Sequence, residues 1–594
     1  MKHRYKTIIS LAICILTLLI SFRPLFHEGL IAGHDVGYHM SRIQLFTKAL
    51  RDGQFPVRWI EGPVEGLSHP LFEFYPPLLY YPTGILGLLG IVPRNSLYIT
   101  LIVAGIIGWL SMFFLMQKFT NIIGGITAAT VFLITPYRFS QLYVRAAFPE
   151  YLATNLIPLV FLGIYYIFAG KKRMGIIITS LSLAAMVTSH QPTVLIIIPA
   201  LILWTIALWI TTKSTTHFME TLASSLASIG LAAFFLIPML FEQQYIRIDL
   251  LKADYFSYVQ HFASFGQLLY SPWGYGLSLP GPNDGMSFQV GLVNWMILML
   301  SLLTALVIWK KHREQAAFIL LFSIIAAYGI FLSTSGSEVL WIRFPILQFI
   351  QYPWRFLSVV TFATAALAAY FVSAIPFLLP REKYGEIGMA MIIGSAAVLF
   401  SWGYIVPATY LTKDAFSISK PDFRERYEKQ NPLFGLEAGY LPKWVQQVRK
   451  TSVAQKFEVI RGQAELSAQV SKPTFQQVII QSSEESILRV YTHFFPGWWA
   501  SLDTGVIRHS ITPRFDNPEG FMDLSLPAGA YTITLEFKRT PIRQIADLIS
   551  LISFIGLVFF LSWPLLLKLN RGNNRIQLFG KRRIRRPGQH IHHR

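Results

Sequence analysis

Runs of about 20 apolar residues recur along most of this chain, and each is long enough to cross a lipid bilayer. The polar stretches between most of them are short, which is typical of connections between membrane-spanning helices. The pattern predicts twelve spans, at residues 7–22, 97–117, 121–136, 151–169, 174–189, 192–211, 219–240, 289–309, 315–333, 354–379, 386–408 and 546–567.

A further apolar segment, 77–92, is interrupted by Pro and Gly, and it decides the predicted topology. If it crossed the membrane, the basic cluster at 171–173 would face the outside, against the positive-inside rule. We therefore predict a juxtamembrane or re-entrant helix there, in a multi-pass protein of the cell membrane whose N- and C-termini are cytoplasmic. The basic clusters on the cytoplasmic side are then Lys2–Lys6, Lys118, 171–173, Lys213, Lys310–Arg313, Arg381–Lys383 and the C-terminal tail.

The pattern changes between residues 412 and 545, where apolar and polar residues alternate in short runs separated by Pro, Gly and Asn. Period-two runs between such turns predict an extracytoplasmic all-β sandwich domain before the last span. The transmembrane domain is then 1–411, with external loops 23–96, 137–150, 241–288 and 334–353. The predicted strands include Phe457–Ile460, Gln477–Ile480, Leu488–Thr492, Met522–Leu526 and Tyr531–Phe537.

Composition agrees with a polytopic α-helical membrane protein. Of 594 residues, 53% are apolar and 14% are charged, whereas a soluble protein carries roughly 25% charged residues. The net charge of +20 lies in short loops between apolar helices, so we expect no nucleic-acid partner. The tail 568–594 is rich in Arg and Lys and has no acid, which favours contact with anionic lipid. Its His590, His592 and His593 could bind a metal, although a solvated tail is the simpler interpretation.

The first external loop holds polar residues close to the first span. Asp35 and His39 are four residues apart, so they would share one face of a helix, and His34 adjoins them. A carboxylate beside imidazoles suits acid–base catalysis or metal binding. An Asp at the start of a helix also caps its N–H groups. The spacing alone leaves both interpretations open.

The second external loop places Arg138, Arg145 and Glu150 between two predicted spans. The planar guanidinium group donates several charge-assisted hydrogen bonds and therefore suits a phosphate. The alternative is that the two arginines extend to the membrane interface and that one of them pairs with the glutamate. Sequence does not choose between these two possibilities.

A third candidate position is the outer entrance of the span at 354–379, where Tyr352, Trp354 and Arg355 interleave aromatic and cationic side chains. An interfacial aromatic belt accounts for the tyrosine and the tryptophan. It does not account for Arg355, because the positive-inside rule disfavours a cation on this side. A phosphate partner would account for it.

This arrangement resembles the GT-C superfamily of integral membrane glycosyltransferases, which includes oligosaccharyltransferases, protein O-mannosyltransferases and aminoarabinose transferases. In that superfamily an essential acid lies near the start of the long first external loop, and Asp35 matches it. A second external loop carries Arg and a further acid, and Arg138, Arg145 and Glu150 fall in that loop here.

A closer resemblance is to bacterial membrane proteins with a 6-pyruvoyl-tetrahydropterin-synthase-related domain and to their YfhO-like relatives. The name implies no pterin chemistry, because no part of the chain resembles the soluble zinc enzyme. The resemblance covers most of the chain through short stretches at Gly33–Arg42, Gly53–Trp59, Phe74–Pro77, Ser271–Gly276, Gln351–Phe356 and Phe495–Trp498.

The resemblance implies an inverting glycosyltransferase that uses a polyprenyl-phosphate-linked sugar on the external face of the membrane, in cell-envelope or surface glycan synthesis. The acceptor would be a glycan, a lipid or a protein. In this interpretation Asp35 is the general base or helps to hold a divalent metal such as Mg or Mn, with His39 and Glu150 as the other candidate ligands.

The remaining candidate residues have roles around this centre, and no pterin or nucleotide is expected. His39 would orient Asp35, and the donor phosphate would meet Arg138, Arg145 and Arg355, with support from His34, Glu150 and Trp354. A lipid-linked glycan transporter and a non-catalytic envelope-assembly protein of the same fold remain alternatives.

Overall fold

The computed structural model describes residues 2–61, 68–379, 382, 384–418, 439–447 and 455–580. Within this part of the chain, apolar helices form a bundle and each predicted span coincides with a helix or a bent pair of helices. The helices are α1 (Lys2–Ser21), α2 (Val36–Arg51), α3 (Leu71–Phe74), α4 (Tyr80–Leu88), α5 (Pro93–Phe119), α6 (Ile122–Leu133), α7 (Pro136–Phe139), α8 (Phe148–Phe168), α9 (Lys172–Ser189), α10 (Gln191–Thr212), α11 (Thr215–Leu231), α12 (Ala233–Glu242), α13 (Phe265–Leu269), α14 (Leu292–Ile308), α15 (Arg313–Leu332), α16 (Glu338–Arg343), α17 (Leu357–Leu378), α18 (Gly385–Ser401) and α19 (Pro541–Gly580).

The number of spans depends on how bent and short helices are counted. Among the described residues, seven helices are long and apolar enough to cross a membrane, or nine if two bent pairs each form one span. The bent pairs are α6 with the segment Pro136–Val144, at 46°, and α11 with the segment Ala233–Tyr245, at 69°. The apolar helices Ile8–Ser21 and Leu292–Ile308 are shorter. The count of twelve therefore stays a prediction, as does the side on which each loop lies.

The segment 77–92 forms only the short helix α4, whose nine residues extend about 14 Å at 1.5 Å per residue. This is less than half of the hydrocarbon thickness of a bilayer. This helix is therefore too short to cross the hydrocarbon region by itself, and its place relative to the membrane stays a prediction.

Helix α17 lies at the centre of the bundle and is buried along nearly its whole length. It is rich in Ala, Ser and Thr, and small residues allow neighbouring helices to approach closely. Helices α6, α14 and α15 pack around it. The start of this helix, at Leu357, is consequently held in a fixed place, and Arg355 lies two residues before it in the chain.

The C-terminal part contains a β-sheet domain of two antiparallel sheets. One sheet has the order β10-β9-β12-β7-β6 and the other β11-β8-β5. That they form a sandwich stays a prediction, and 419–438 and 448–454 of the predicted domain lie outside the described residues. The strands are β5 (Phe457–Arg461), β6 (Ala464–Lys472), β7 (Phe475–Ser482), β8 (Ser486–His493), β9 (Trp498–Asp503), β10 (Arg508–Ile511), β11 (Phe521–Leu526) and β12 (Gly529–Phe537).

Two short ribbons connect the first loop to other parts of the chain. Strand β1 (Leu30–Ile31) pairs with β4 (Tyr410–Leu411), and β2 (Ile60–Glu61) pairs with β3 (Ser68–His69). The predictions made for Arg381, Lys383 and the tail from Lys581, including His590, His592 and His593, fall outside the described residues.

Candidate active-site cavity

A cavity of about 610 Å³ lies at the end of the helix bundle where α9 ends and α10 begins. Its polar part brings together the candidate residues of the first, second and fourth predicted loops. Its other part is apolar and includes side chains of α10, α12 and the segment before α17. The polar lining residues are His34, Asp35, His39, Arg42, Arg145, His190, Gln191, Gln243, Lys252, Gln351 and Arg355.

The backbone of the first loop is joined directly to that of the second loop beside the cavity. The N–H of His34 donates to the carbonyl of Val144, and the N–H of Asp35 donates to the carbonyl of Arg145, both at 3.0 Å. These two bonds bring the carboxylate of Asp35 and the guanidinium group of Arg145 to one edge of the cavity. The two loops therefore form one unit, which sequence spacing could not reveal.

Gly33 is required for this contact between the loops. A Cβ atom at this position would lie 2.9 Å from the Cβ of Ala146 and 3.2 Å from the carbonyl oxygen of Val144. We expect Gly33→Ala to lower the free energy of unfolding by about 1–3 kcal/mol, the usual cost of overpacking a close contact. Gly388→Ala is the matched control, because a Cβ atom there meets no atom within 4 Å. Equal thermal unfolding of both variants and the parent protein would contradict this prediction.

Asp35 occupies the position before the first residue of α2, as the capping interpretation requires. Within the described part of the chain, however, its side chain makes no capping hydrogen bond with the helix. Burial raises the pKa of the Asp35 carboxyl, while the charges of His34, Arg145, Arg42 and Arg355 act in the opposite direction. The side chain lines the cavity, where a carboxylate with a raised pKa is a better proton acceptor.

The two candidate histidines, His34 and His39, each bond to a partner other than Asp35. His34 Nε2 lies 3.0 Å from the carbonyl oxygen of Tyr275, which joins the first loop to the third. His39 Nδ1 lies 2.8 Å from the hydroxyl of Tyr80. Burial lowers the pKa of both imidazoles. The described hydrogen bonds give His39 no side-chain contact through which it would orient Asp35, and that role stays a prediction.

Glu150 is the centre of a buried polar cluster behind the cavity wall. Its Oε2 accepts a hydrogen bond from Arg145 Nη2 at 2.8 Å, and Arg355 Nε lies 3.3 Å from the same oxygen. Its Oε1 accepts from the Tyr137 hydroxyl at 2.5 Å and from Gln141 Nε2 at 2.9 Å. Two arginines from loops far apart in sequence are therefore fixed by one carboxylate oxygen.

Aromatic rings hold these arginines in place. The guanidinium carbon of Arg145 lies 4.3 Å from the centroid of a Trp354 ring, and that of Arg355 lies 4.7 Å from the Tyr352 ring centroid. Trp354 is buried, so it is not a member of a lipid-facing aromatic belt. Arg145 and Glu150 are buried too, and they form the arginine–glutamate pair that the alternative interpretation expected, at 2.8 Å.

Arg138 lies apart from the other candidates. It is fully buried, donates from Nη2 to Asn155 Oδ1 at 2.6 Å, and stacks 4.3 Å from the ring centroid of Tyr151. It does not line the described cavity. The structure therefore brings together seven of the eight candidate residues in or directly behind the cavity wall, and leaves Arg138 in the helix bundle.

The structure adds two residues that the sequence interpretation missed. Arg42 lines the cavity with its guanidinium carbon 4.2 Å from the Tyr75 ring centroid, and it follows Asp35 by seven residues, the spacing of one helix face. His190 lies between two predicted spans on the same side as Arg145. Burial, and after it the charge of Arg355, lower the pKa of His190 to about 3.

The residues present do not fit a divalent metal site. The described residues contain no group of three or more His, Cys, Asp and Glu side chains placed to hold a metal ion. Both oxygens of Glu150 are engaged by other protein groups, and Arg145 and Arg355 add positive charge where a cation would have to bind. The polar part of the cavity instead suits an anion.

Comparison with known proteins gives a family match over residues 72–404, to the family described as 6-pyruvoyl-tetrahydropterin synthase related domain, membrane protein. This range is more than half of the 594 residues. It confirms the closer of the two resemblances drawn from sequence. No curated protein sequence matches the chain.

Solved structures to which the chain is similar include two transferases and the protein ArnT, all with TM-scores below 0.5. Arabinofuranosyltransferase AftD from Mycobacteria has 13% identity and a TM-score of 0.45, over 69% of this chain and 27% of that chain. An oligosaccharyltransferase from Archaeoglobus fulgidus with a tethered acceptor peptide has 15% identity and a TM-score of 0.42, over 73% of this chain and 60% of that chain. ArnT from Cupriavidus metallidurans bound to undecaprenyl phosphate has 11% identity and a TM-score of 0.27, over 68% of this chain and 89% of that chain. The chain thus spans less than a third of AftD.

Proposed function

The chain belongs to the 6-pyruvoyl-tetrahydropterin synthase related family of membrane proteins, and on the geometry of its cavity we propose that it is a membrane glycosyltransferase. The proposed donor is a sugar linked to polyprenyl phosphate, and the proposed reaction takes place on the external face of the cell membrane. The observation that carries this proposal is one cavity that joins a carboxylate, three arginines and an apolar part.

The apolar part of the cavity supports a lipid-linked donor. It is lined by side chains of α10, α12 and the segment that precedes α17, among them Leu195, Leu236 and Met239. Leu240, Ile346 and Phe349 belong to the same lining and are more than 40% exposed. An isoprenoid chain could therefore lie against this part and leave the cavity sideways between helices, while its phosphate stays at the polar end.

The arginines support a phosphate at that end. Arg145 is preorganised by Glu150 and Trp354, and Arg355 by Glu150 and by its bond to the Ile350 carbonyl at 2.7 Å. Donors held in place before the reaction stabilise developing negative charge without reorganisation. We assign Arg145 and Arg355, together with Arg42, to the donor phosphate.

Asp35 is the proposed general base. The acceptor hydroxyl attacks the anomeric carbon of the donor sugar, and the carboxylate takes its proton as the new carbon–oxygen bond forms. The bond from that carbon to the phosphate oxygen breaks, and its electron pair leaves with the polyprenyl phosphate, beside the arginines. Attack from the face opposite the leaving group inverts the configuration. The arginines here take the place that a divalent metal would occupy at the phosphate.

The function is tested with the purified protein in defined lipid and a set of polyprenyl-monophosphate sugars labelled in the sugar. We expect the label to leave the polyprenyl fraction for one of these donors, at a rate unchanged by EDTA. Mass spectrometry of surface glycans from cells with and without the protein identifies the acceptor product. Retention of all label on every donor would contradict transfer, and binding without turnover would favour a transporter or a non-catalytic protein. Loss of activity in EDTA that Mg or Mn restores would contradict the role given to the arginines.

A further inference from the structure

Two of the stretches that carry the family resemblance, Gly53–Trp59 and Phe495–Trp498, contribute no residue to the described lining of the cavity, and a third, Phe74–Pro77, lines it with three of its four residues. They meet at a second group of buried charges, between the first loop, the end of α12, the β-sheet domain and the start of α19. We call this group the Arg543 cluster. It consists of Arg58, Glu73, Glu242, Arg543 and Asp547.

Arg543 is the central member and has no exposed side-chain surface. Its Nε lies 2.9 Å from Glu73 Oε1, and its Nη2 lies 2.6 Å from Glu242 Oε2. Arg58 completes the group, with Nη2 2.6 Å from Asp547 Oδ1 and Nε 3.5 Å from Glu73 Oε2. One guanidinium group from the last helix therefore holds two carboxylates from different parts of the chain.

The Phe495–Trp498 stretch makes room for this guanidinium group. Gly497 has a φ of +116°, and a Cβ atom there would lie 2.7 Å from Arg543 Nη1. The guanidinium carbon lies 5.5 Å from the ring centroid of Phe495 and 4.8 Å from that of Phe537. Gly497 and the rings of Phe495 and Phe537 thus bring the β-sheet domain against the arginine.

The two carboxylates that Arg543 holds adjoin two walls of the cavity. Glu73 directly precedes Phe74 and Tyr75, which line the cavity, and Arg42 stacks on Tyr75. Glu242 directly precedes Gln243, which lines the cavity from the end of α12. A buried ion pair contributes little net stability compared with apolar packing, and one attested use of such groups is to select a single arrangement.

We propose that Arg543 is a positioning residue that fixes the spacing between the first-loop wall and the α12 wall of the cavity. This rests on the proposed function only in that the cavity would hold the donor. Without the arginine, or without the charge of one carboxylate, the charge-assisted bonds that join the two elements would be lost or weakened. The elements that carry Glu73 and Glu242 would then no longer be held at one spacing. The last helix and the strands β5–β12 would in this way set the shape of a site to which they contribute no lining residue among those described.

The first measurement of this proposal needs no activity. Spin labels are attached at Leu78→Cys and Gln244→Cys, next to the two walls, in a Cys14→Ser background, since Cys14 is the only cysteine. Pulsed dipolar spectroscopy of the full chain in defined lipid then reports their separation. We expect one narrow distribution for the parent, and a broader or longer one for Arg543→Met and for Glu73→Gln. Glu73→Gln keeps the size of the side chain and serves if Arg543→Met does not fold.

The matched control is Arg489→Met, which breaks a pair of 2.8 Å bonds to Asp523 between β8 and β11. It removes an arginine–carboxylate pair in the β-sheet domain that adjoins no cavity wall, so the label distance should stay as in the parent. An unchanged distance in both Arg543→Met and Glu73→Gln would overturn the proposal, as would an equal change in the control.

The second measurement is the binding of a C55 polyprenyl monophosphate to the same variants. We expect about tenfold weaker binding in Arg543→Met and Glu73→Gln, the size of effect that residues of a packed network have on a distant site. The affinity of Arg543→Lys should lie between those of these two variants and the parent, because a lysine reaches only one of the two carboxylates well. If the parent does not bind the lipid, the proposed function is contradicted. The distances between the spin labels still test the positioning role of Arg543 in that case. Changed distances with unchanged affinity would overturn the link between the cluster and the site.

Discussion

Asp35→Asn is expected to lower the rate of sugar transfer by about 10²–10⁴-fold, the usual contribution of a positioned general base. Asn keeps the size of the side chain but cannot accept the proton of the acceptor hydroxyl. Donor affinity should change little, because the proposed phosphate contacts belong to Arg145 and Arg355. Single-turnover transfer and donor binding, measured on the same reconstituted protein, separate these two quantities.

The capping interpretation predicts a different result. Asn caps a helix almost as well as Asp, so a purely structural Asp35 would leave transfer near the parent rate. Asp52→Asn at the other end of α2 is the matched control, since Asp52 occupies the C-terminal capping position and does not line the described cavity. Equal activity of the two variants would assign Asp35 to the helix and not to the reaction.

The helices could be predicted from sequence because the signal is local. A run of apolar residues that is long enough to cross a bilayer has few alternatives to a helix there, and α5, α8 and α10 follow the predicted ranges closely. The strands were harder, because β6 is mostly exposed and β10 has only four residues. The predicted runs match β5, β7, β8, β11 and β12. The alternating pattern is weak in β6 and β10 at the two edges of the five-stranded sheet, and β9 inside that sheet was missed as well.

Arg138 was predicted to contact the donor phosphate, and the sequence did not show that its side chain lies outside the cavity. Arg138 and Arg145 are seven residues apart, which would place them on one face of a regular α-helix. Residues Ser140–Val144 between them instead form a π-helical turn, which has more residues per turn and is frequent at functional sites. Arg145 consequently faces the cavity while Arg138 faces Asn155. The hydrophobic pattern contains no signal for such a turn.

Contacts between residues far apart in the chain could not be predicted from the sequence either. Glu150 was predicted to support the phosphate site, but its contact with Arg355 joins segments separated by most of the helix bundle. The Arg543 cluster was not predicted at all, although two of its members, Arg58 and Glu73, lie in or beside stretches that had been singled out. An isolated charged residue next to a span gives no indication of the residue that it meets, because that depends on how the helices pack.

Arg145→Lys and Arg355→Lys are each expected to lower kcat/KM for the lipid-linked donor by roughly 10- to 100-fold. Lysine keeps the positive charge but loses the planar group that can bind a phosphate through two hydrogen bonds, and hydrogen bonds to charged groups contribute about 1.5–3 kcal/mol each. The measurement is donor affinity and turnover for both single variants and the double variant in defined lipid.

The double variant should lose less than the sum of the two single effects, by about 0.5–3 kcal/mol, as is common for residues in one ion-pair network. The reason lies in Glu150, because both arginines contact its Oε2, so that either substitution already disturbs the other arginine. Arg138→Lys is the matched control: it replaces a buried arginine of the same loop that bonds to Asn155 instead. It should lower thermal stability and leave donor affinity unchanged. Strict additivity of Arg145→Lys and Arg355→Lys, or a loss of donor affinity in Arg138→Lys, would show that the phosphate is not held by the arginines around Glu150.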